Sequence, residues 1–213
     1  MYVDAHPSNE RLMAYATGTL PPGLSVLVAS HLTFCTTCRD RVARFEAIGG
    51  ALLSAEAPAP MSGVAREHVL ARLDEPAGVE EATPAVADPV LPAPLREILG
   101  RGIGEIRWRF LLPGLAEYRI EGFPGEEVSL LRARPGTRIL AHTHEGEEST
   151  LVLAGALQDD GRVYTRGSVV ACDSTHNHRP EIVGDETCIC LIVMTGRMRF
   201  TGTVGRALNL FSH

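Results

Sequence analysis

A chain of 213 residues, 45% hydrophobic and 22% charged, holds enough apolar material for one large β domain or two modest domains. Its formal net charge is -6 and all 20 basic residues are arginine: residues 1–75 carry 6 Arg against 8 Asp and Glu, residues 76–94 none against 3, and residues 95–213 14 against 15. No part is basic enough to neutralise a phosphate backbone, so direct binding of nucleic acid is not expected.

Pro7-Ser8-Asn9-Glu10 predicts the start of a helix, with Ser8 or Asn9 as cap, an apolar stripe of Leu12, Met13, Tyr15 and Ala16, and a stop at Gly18. Pro21-Pro22 starts a second, in which Leu24, Leu27, Val28, His31 and Leu32 share a face. Cys35-Thr-Thr-Cys38 breaks into a third through Val42, Phe45, Ile48 and Leu52, with Gly49-Gly50 weakening its last turn. A fourth follows Pro58-Ala-Pro60, with Ser62 as cap and Val64, Ala65, Val69, Leu70 and Leu73 on its apolar side. That helix either packs back on its own bundle or detaches and needs a partner.

Within this helical segment His31-x3-Cys35-x2-Cys38 places an imidazole and two thiols within eight residues. Positions 31 and 35 lie one helical turn apart, and the three donors converge if the helix ends between them. His6 is the only other His or Cys among the first sixty residues and would complete the set. Two thiolates and two imidazoles favour a closed, structural tetrahedral zinc site, which is what a bundle with so thin a core needs. The alternative is a chance cluster of core cysteines beside a surface histidine.

Residues 76–94 contain five prolines, no arginine and no aromatic residue, and are expected to be a flexible linker between a helical domain, 1–75, and a second domain, 95–213. There the helical period gives way to β runs at 106–110, 127–132, 149–153, 168–170 and 187–193, with Asp159-Asp160-Gly161 marking a hairpin. A sandwich or jelly-roll barrel is expected. Inside it, Gly136-x5-His142-x-His144-x3-Glu148-x6-Gly155 sets two histidines on one strand face, brings Glu148 back after a turn, and leaves His178 available from a later strand. Three imidazoles and a carboxylate suit a first-row metal: zinc foremost, with iron, manganese and nickel also accepted by this donor set. Cys172, Cys188 and Cys190 read as small buried core residues before redox sensors. His176 has no assigned role.

The stretch from Gly136 to Gly155 resembles the first cupin motif at every defining position, and Gly167 to His178 resembles the second. Asp173, Thr175 and Ile182 stand where cupins usually have Pro, Gly and Asn, departures that touch turn residues and not ligands. His31-x3-Cys35-x2-Cys38 with upstream His6 is similar to the zinc-binding anti-sigma domain. A helical zinc domain followed by a cupin is the arrangement of the ChrR-type anti-sigma factors, and the resemblance covers nearly the whole chain. It implies a double-stranded β-helix barrel behind a small zinc-binding helical bundle. It also implies a non-enzymatic regulator in which the helical domain sequesters an extracytoplasmic-function sigma factor, and the cupin senses oxidative stress such as singlet oxygen or organic peroxide.

The alternative is a metal-dependent cupin dioxygenase or isomerase with an appended zinc adapter. No apolar run approaches the roughly eighteen residues that span a bilayer, and Met1-Tyr-Val-Asp-Ala-His6 has neither region of a signal peptide. A cytoplasmic protein without a membrane partner is therefore expected, with a homodimer through the cupin as a further expectation. Five cysteines in short spacings fit a reducing compartment.

Overall fold

The computed structural model describes residues 5–73, 75 and 88–201. Helix α1 (Asn9–Ala16) starts where the Ser8 hydroxyl accepts from Arg11 N–H at 3.3 Å, and the chain leaves it through Gly18 at φ +68°. Helices α2 (Pro22–Phe34) and α3 (Thr36–Ala55) are separated by Cys35 alone, which is extended at φ -117°, ψ 106°. Gly49-Gly50 does not end α3. The flanking Ala, Ile and Leu residues favour helix enough to carry a glycine pair that costs about 1 kcal/mol per residue. In α4 (Ala65–Arg72) the expected Ser62 side-chain cap is absent; the Ser62 carbonyl accepts from Ala65 N–H instead, and no residue of α4 is buried.

Most of the expected linker, residues 76–87, lies outside the described residues. Its last residues lead into a helix the sequence did not announce, α5 (Ala93–Leu99), opened by Pro92 and Pro94 and closed by Gly100 at φ +61°. Leu95 and Leu99 of α5 are buried, and the helix packs on α2. Asp88 fixes the approach by accepting from Val90, Leu91 and Ile103 N–H at 2.8, 2.9 and 2.6 Å. The run 106–110 is only partly a strand. Its Ile106-Trp108 alternation instead seats two side chains on the core after a 3-10 turn, Ile103–Glu105, and β1 (Arg109–Leu112) begins later.

Eleven strands among the described residues build the cupin-like sandwich. One six-stranded antiparallel sheet has the order β1-β2-β3-β10-β5-β8, with β2 (Leu115–Ile120), β3 (Glu127–Ala133), β5 (Glu148–Ala154), β8 (Val169–Cys172) and β10 (Cys188–Met194). Smaller sheets pair β4 (His142–His144) with β11 (Met198–Phe200), and β6 (Ala156–Asp159) with β7 (Arg162–Thr165) and β9 (Glu181–Val183). Asp160 and Gly161, at φ 44° and 77°, form the expected two-residue hairpin between β6 and β7.

The helices and the barrel share one core. Leu24 and Leu27 of α2 join Leu95 and Leu99 with Leu130, Leu151, Leu191 and Val193 of the central strands. The other side of α2 packs Val28 against Leu12, Cys38 and Val42. α2 is thus buried on two sides, between the sheet and the other helices. Pro21 gives it no side-chain cap, so Glu126 of the barrel supplies one, its carboxylate accepting from Gly23 N–H at 2.6 Å and Leu24 N–H at 3.1 Å. Gly23 must be glycine for that approach, since a Cβ there would meet Val128 Cγ2 at 2.7 Å. Arg11 of α1 adds hydrogen bonds to Ser149 Oγ and Glu147 Oε2, each 2.8 Å.

Replacing Glu126 by Ala removes two charge-assisted hydrogen bonds from the end of a buried helix and is expected to cost about 1–3 kcal/mol. Gly23→Ala is expected to destabilise despite the gain in helix propensity. Thermal unfolding followed by circular dichroism checks both, and an unchanged midpoint for Gly23→Ala would mean that α2 does not need its close seat on the sheet.

Candidate metal centres

The structure brings His6, His31, Cys35 and Cys38 together with one donor atom of each within 4.8 Å of all the others. Each comes from a different local constraint. His6 precedes α1 on a segment tied to the barrel by Val169 N–H donating to the Ala5 carbonyl at 3.0 Å. His31 lies in the last turn of α2, Cys35 at the break, and Cys38 in the first turn of α3. His6 Nδ1 is 3.4 Å from both sulfurs. His31 Nδ1 donates to the Gly167 carbonyl at 2.8 Å, which fixes the tautomer and leaves Nε2 buried with no hydrogen-bond partner among the described residues. Burial holds the His31 imidazole down to about 4, hence neutral, and burial with the neighbouring Cys35 pushes the Cys38 thiol up to about 12. An orphaned imidazole nitrogen facing two converging sulfurs fits a bound cation, which would offset the cost of ionising buried thiols.

The barrel brings His142, His144 and His178 together in the same way, all buried. His142 and His144 alternate on β4, and His178 is held beside them by the paired hydrogen bonds His142 N–H to His178 O, 3.1 Å, and His178 N–H to His142 O, 3.0 Å. Ring centroids lie 4.3 to 5.3 Å apart. Glu148, the fourth expected donor, lies outside that three-histidine group and touches it through one contact, Oε2 2.9 Å from His144 Nε2, while its Oε1 accepts from the Thr150 hydroxyl. Burial opposes ionisation of Glu148, but the hydrogen bond and charge of His144, with His142 and His178, outweigh it and keep the carboxyl below its usual range.

Two of the imidazoles have a polar partner on the far nitrogen. His142 Nδ1 donates to Leu140 O at 2.7 Å, and His178 Nδ1 donates to Asp159 Oδ2 at 2.6 Å. The Nε2 of His178 and the Nδ1 of His144 are buried without hydrogen-bond partners among the described residues. Such support is the usual companion of a metal-binding imidazole. Burial disfavours the His178 imidazolium, yet the hydrogen bonds of Asp159 and then Cys172 lift it to about 10.

Sequence reasoning missed Asp159, because Asp159-Asp160-Gly161 reads as turn chemistry. The turn uses only Asp160 and Gly161 at positive φ, and Asp159 is spare. His176 is exposed, paired with Asp173 at 3.2 Å, and outside the cluster. Asp173 itself explains the departure from the second motif. It accepts from Thr175 N–H and hydroxyl at 2.9 and 2.6 Å, an Asx turn that replaces the expected Pro and Gly and holds the carboxyl at about 2. Ile182 is a core residue, 2% exposed. Gly155 is required by packing at φ +68°, since a Cβ would meet Cys188 Cα at 2.8 Å. Cys172, Cys188 and Cys190 are all buried, with the sulfurs of Cys188 and Cys190 3.6 Å apart.

The two clusters are joined through the barrel wall. Gly167, which holds His31, leads directly into β8, and β8 pairs with β5 so that Cys172 lies opposite Glu148. Arg11 grips the residues on either side of Glu148.

Residues 102–199 match the family described as the ChrR cupin-like domain. The chain is 35% identical over 213 residues to the anti-sigma-E factor ChrR of Cereibacter sphaeroides, covering 99% of each. It superposes with a TM-score of 0.81 and 34% identity on the anti-sigma ChrR in the crystal structure of its complex with SigE from Rhodobacter sphaeroides, covering 91% of this chain and 100% of that one.

Metal uptake by the stripped chain near neutral pH is expected to release protons, since Cys38 at about 12 and His178 at about 10 both hold protons there that a bound cation displaces. Affinity therefore rises with pH, and the measured heat should depend on the ionisation enthalpy of the buffer. Asp159→Asn is expected to weaken metal binding in the barrel by about 10–100-fold and to leave the helical cluster unchanged, as measured by competition with a chromophoric chelator.

Proposed function

Since the chain belongs to the ChrR family of anti-sigma factors, we propose that it binds an extracytoplasmic-function sigma factor and keeps it from RNA polymerase. The observation that supports this most directly is an apolar surface that the described residues leave uncovered. Ile48, Leu52 and Leu53 at the end of α3 are 59%, 66% and 76% exposed, and Val69, Leu70 and Leu73 around α4 are 59%, 50% and 73% exposed. Scattered exposed apolar side chains need no explanation, but six on or at the end of two consecutive helices offer a surface to a partner. The sequence left α4 two alternatives, and its lack of any buried residue favours the one in which it waits for another protein.

In this proposal residues 1–75 hold the sigma factor and residues 95–213 regulate the hold. His6, His31, Cys35 and Cys38 bind structural zinc, for which two sulfurs and two imidazoles in a closed set are the expected donors. His142, His144, Glu148 and His178 bind a second divalent metal, zinc foremost, with iron, manganese and nickel compatible with the same donors. The barrel releases the sigma factor under oxidative stress such as singlet oxygen or organic peroxide. The family resemblance suggests that signal, and the His31 to Gly167 hydrogen bond supplies a physical connection for it. The protein acts in the cytoplasm; among the described residues no helix is long and apolar enough to cross a membrane. The family favours a regulator over a metal-dependent dioxygenase or isomerase.

Co-expression of the full chain with an extracytoplasmic-function sigma factor from the same cell tests this. A stable complex is expected, weakened by about 30-fold or more in a Leu52→Glu, Leu70→Glu double variant that unfolds at the native temperature. Cys38→Ser should also release the sigma factor, through loss of the fold of the helical half. A well-folded, metal-loaded chain that captures no sigma factor would overturn the proposal.

A further inference from the structure

Asp159 has one oxygen more than the orientation of His178 requires. Holding an imidazole takes a single carboxylate oxygen, and Oδ2 meets Nδ1 at 2.6 Å. The other oxygen, Oδ1, is buried with no hydrogen-bond partner among the described residues, on a side chain only 7% exposed. A buried carboxylate oxygen left unpaired is costly, and such a group in a native structure needs an explanation. A third donor stands at the same place. Cys172 Sγ lies 3.8 Å from His178 Nδ1, and Asp159, Cys172 and His178, all buried, each hold a donor atom within 4.8 Å of the other two. The fold delivers them from separate elements, Asp159 at the end of β6, Cys172 at the end of β8 and His178 ahead of β9.

We propose that Asp159, Cys172 and the Nδ1 of His178 form a further cation site in the barrel, leaving the Nε2 of His178 for the three-histidine cluster. Carboxylate, thiolate and imidazole together suit a borderline divalent ion such as zinc or cobalt, and not magnesium or calcium, which take oxygen donors. The spacing fits. In a tetrahedral zinc site a sulfur and a nitrogen lie about 3.5 Å apart, against 3.8 Å between Cys172 and His178. The Asp159 to His178 contact opens from 2.6 Å to about 3.3 Å as the ion takes the place of the proton between them. A divalent ion displaces two protons, one from Nδ1 and one from the Cys172 thiol, so the net charge of the buried region does not change. Three protein donors leave a fourth position for water, and Asp159 and His178 also line the interior cavity of the barrel, which gives an ion its way in. The site goes beyond sigma-factor binding and does not depend on it. Where the neighbouring cluster also holds its metal, His178 bridges the two cations, and that bridge rests on the reading of His142, His144, Glu148 and His178 as a metal site.

The test is a count of zinc bound to the full chain, by elemental analysis after dialysis against a slight excess of free zinc. Three equivalents are expected, one in the helical half and two in the barrel, falling to two in Cys172→Ser. Cobalt added to the chain loaded with two equivalents of zinc gives a second readout. Only a thiolate ligand produces the intense near-ultraviolet charge-transfer band of cobalt, and the three-histidine cluster contains no sulfur. That band is expected in the wild-type chain and absent in Cys172→Ser. If Cys172→Ser does not fold, Cys172→Ala replaces it, since a buried cysteine packs as a small apolar residue, with thermal unfolding as the control. Equal zinc counts in the wild-type chain and a folded Cys172 variant overturn the site. So does a wild-type chain that gives no cobalt band, or a band that survives in the folded variant. His144→Ala separates this site from its neighbour, because His144 is no part of the proposed set. Loss of zinc in Cys172→Ser with none lost in His144→Ala upholds this site and overturns the three-histidine one.

Discussion

The His31 imidazole carries two obligations at once, and the architecture follows from both being met. Its Nδ1 is committed to the Gly167 carbonyl of the barrel, which leaves Nε2 for the thiols of the helical half. A buried imidazole with one nitrogen unsatisfied costs about 1–3 kcal/mol, so each partner makes the other necessary. The helical half cannot complete its donor set in the observed tautomer without the barrel wall behind it. Conversely, the Gly167 carbonyl would lose the donor that satisfies it inside the structure.

This coupling is reinforced because α2 is buried on two sides. One side lies in the same core as Leu130, Leu151 and Leu191, and the other lies against Leu12 and Val42. Glu126 caps its first turn from the barrel, and Arg11 ties α1 to Glu147 and Ser149. The last contact brackets Glu148, so a shift of β5 at the histidine cluster reaches α1 through two hydrogen bonds. The apolar surface of α3 and α4 lies beyond this rigid junction, on helices with few buried residues. The arrangement combines a stiff body with a compliant arm, which is what a releasable grip on a partner requires.

Much of this was legible in the residues. Donor spacings at 31, 35 and 38 are readable because a helical turn followed by a break gathers them within eight residues, those at 142 and 144 because strand alternation puts both on one face, and the strands around 127–132, 149–153 and 187–193 are long enough to show their type. What stayed hidden depends on tertiary partners. The helix at Ala93–Leu99 is short and lies in a proline-rich stretch, and it forms because Leu95 and Leu99 find α2. The strands of three and four residues around the metal cluster carry too little pattern to read. Asp159 looked like turn chemistry because its role is set by His178, nineteen residues away in sequence. The run Ile106 to Phe110 misled because alternation serves equally well to seat two side chains after a 3-10 turn.

The double burial of α2 also bears on how the chain is made. The helix ends at Phe34, whereas the strand it leans on, β10, begins at Cys188. At ordinary rates of synthesis the ribosome takes about 8–30 seconds to cover that distance. Through that interval Leu24 and Leu27 have no complete barrel to lie on, and for most of it His31 lacks Gly167. The four converging donors of the helical half thus emerge long before the wall that orients His31. A nascent chain is left with an uncovered greasy helix, the kind of segment that chaperones guard until its partners are made.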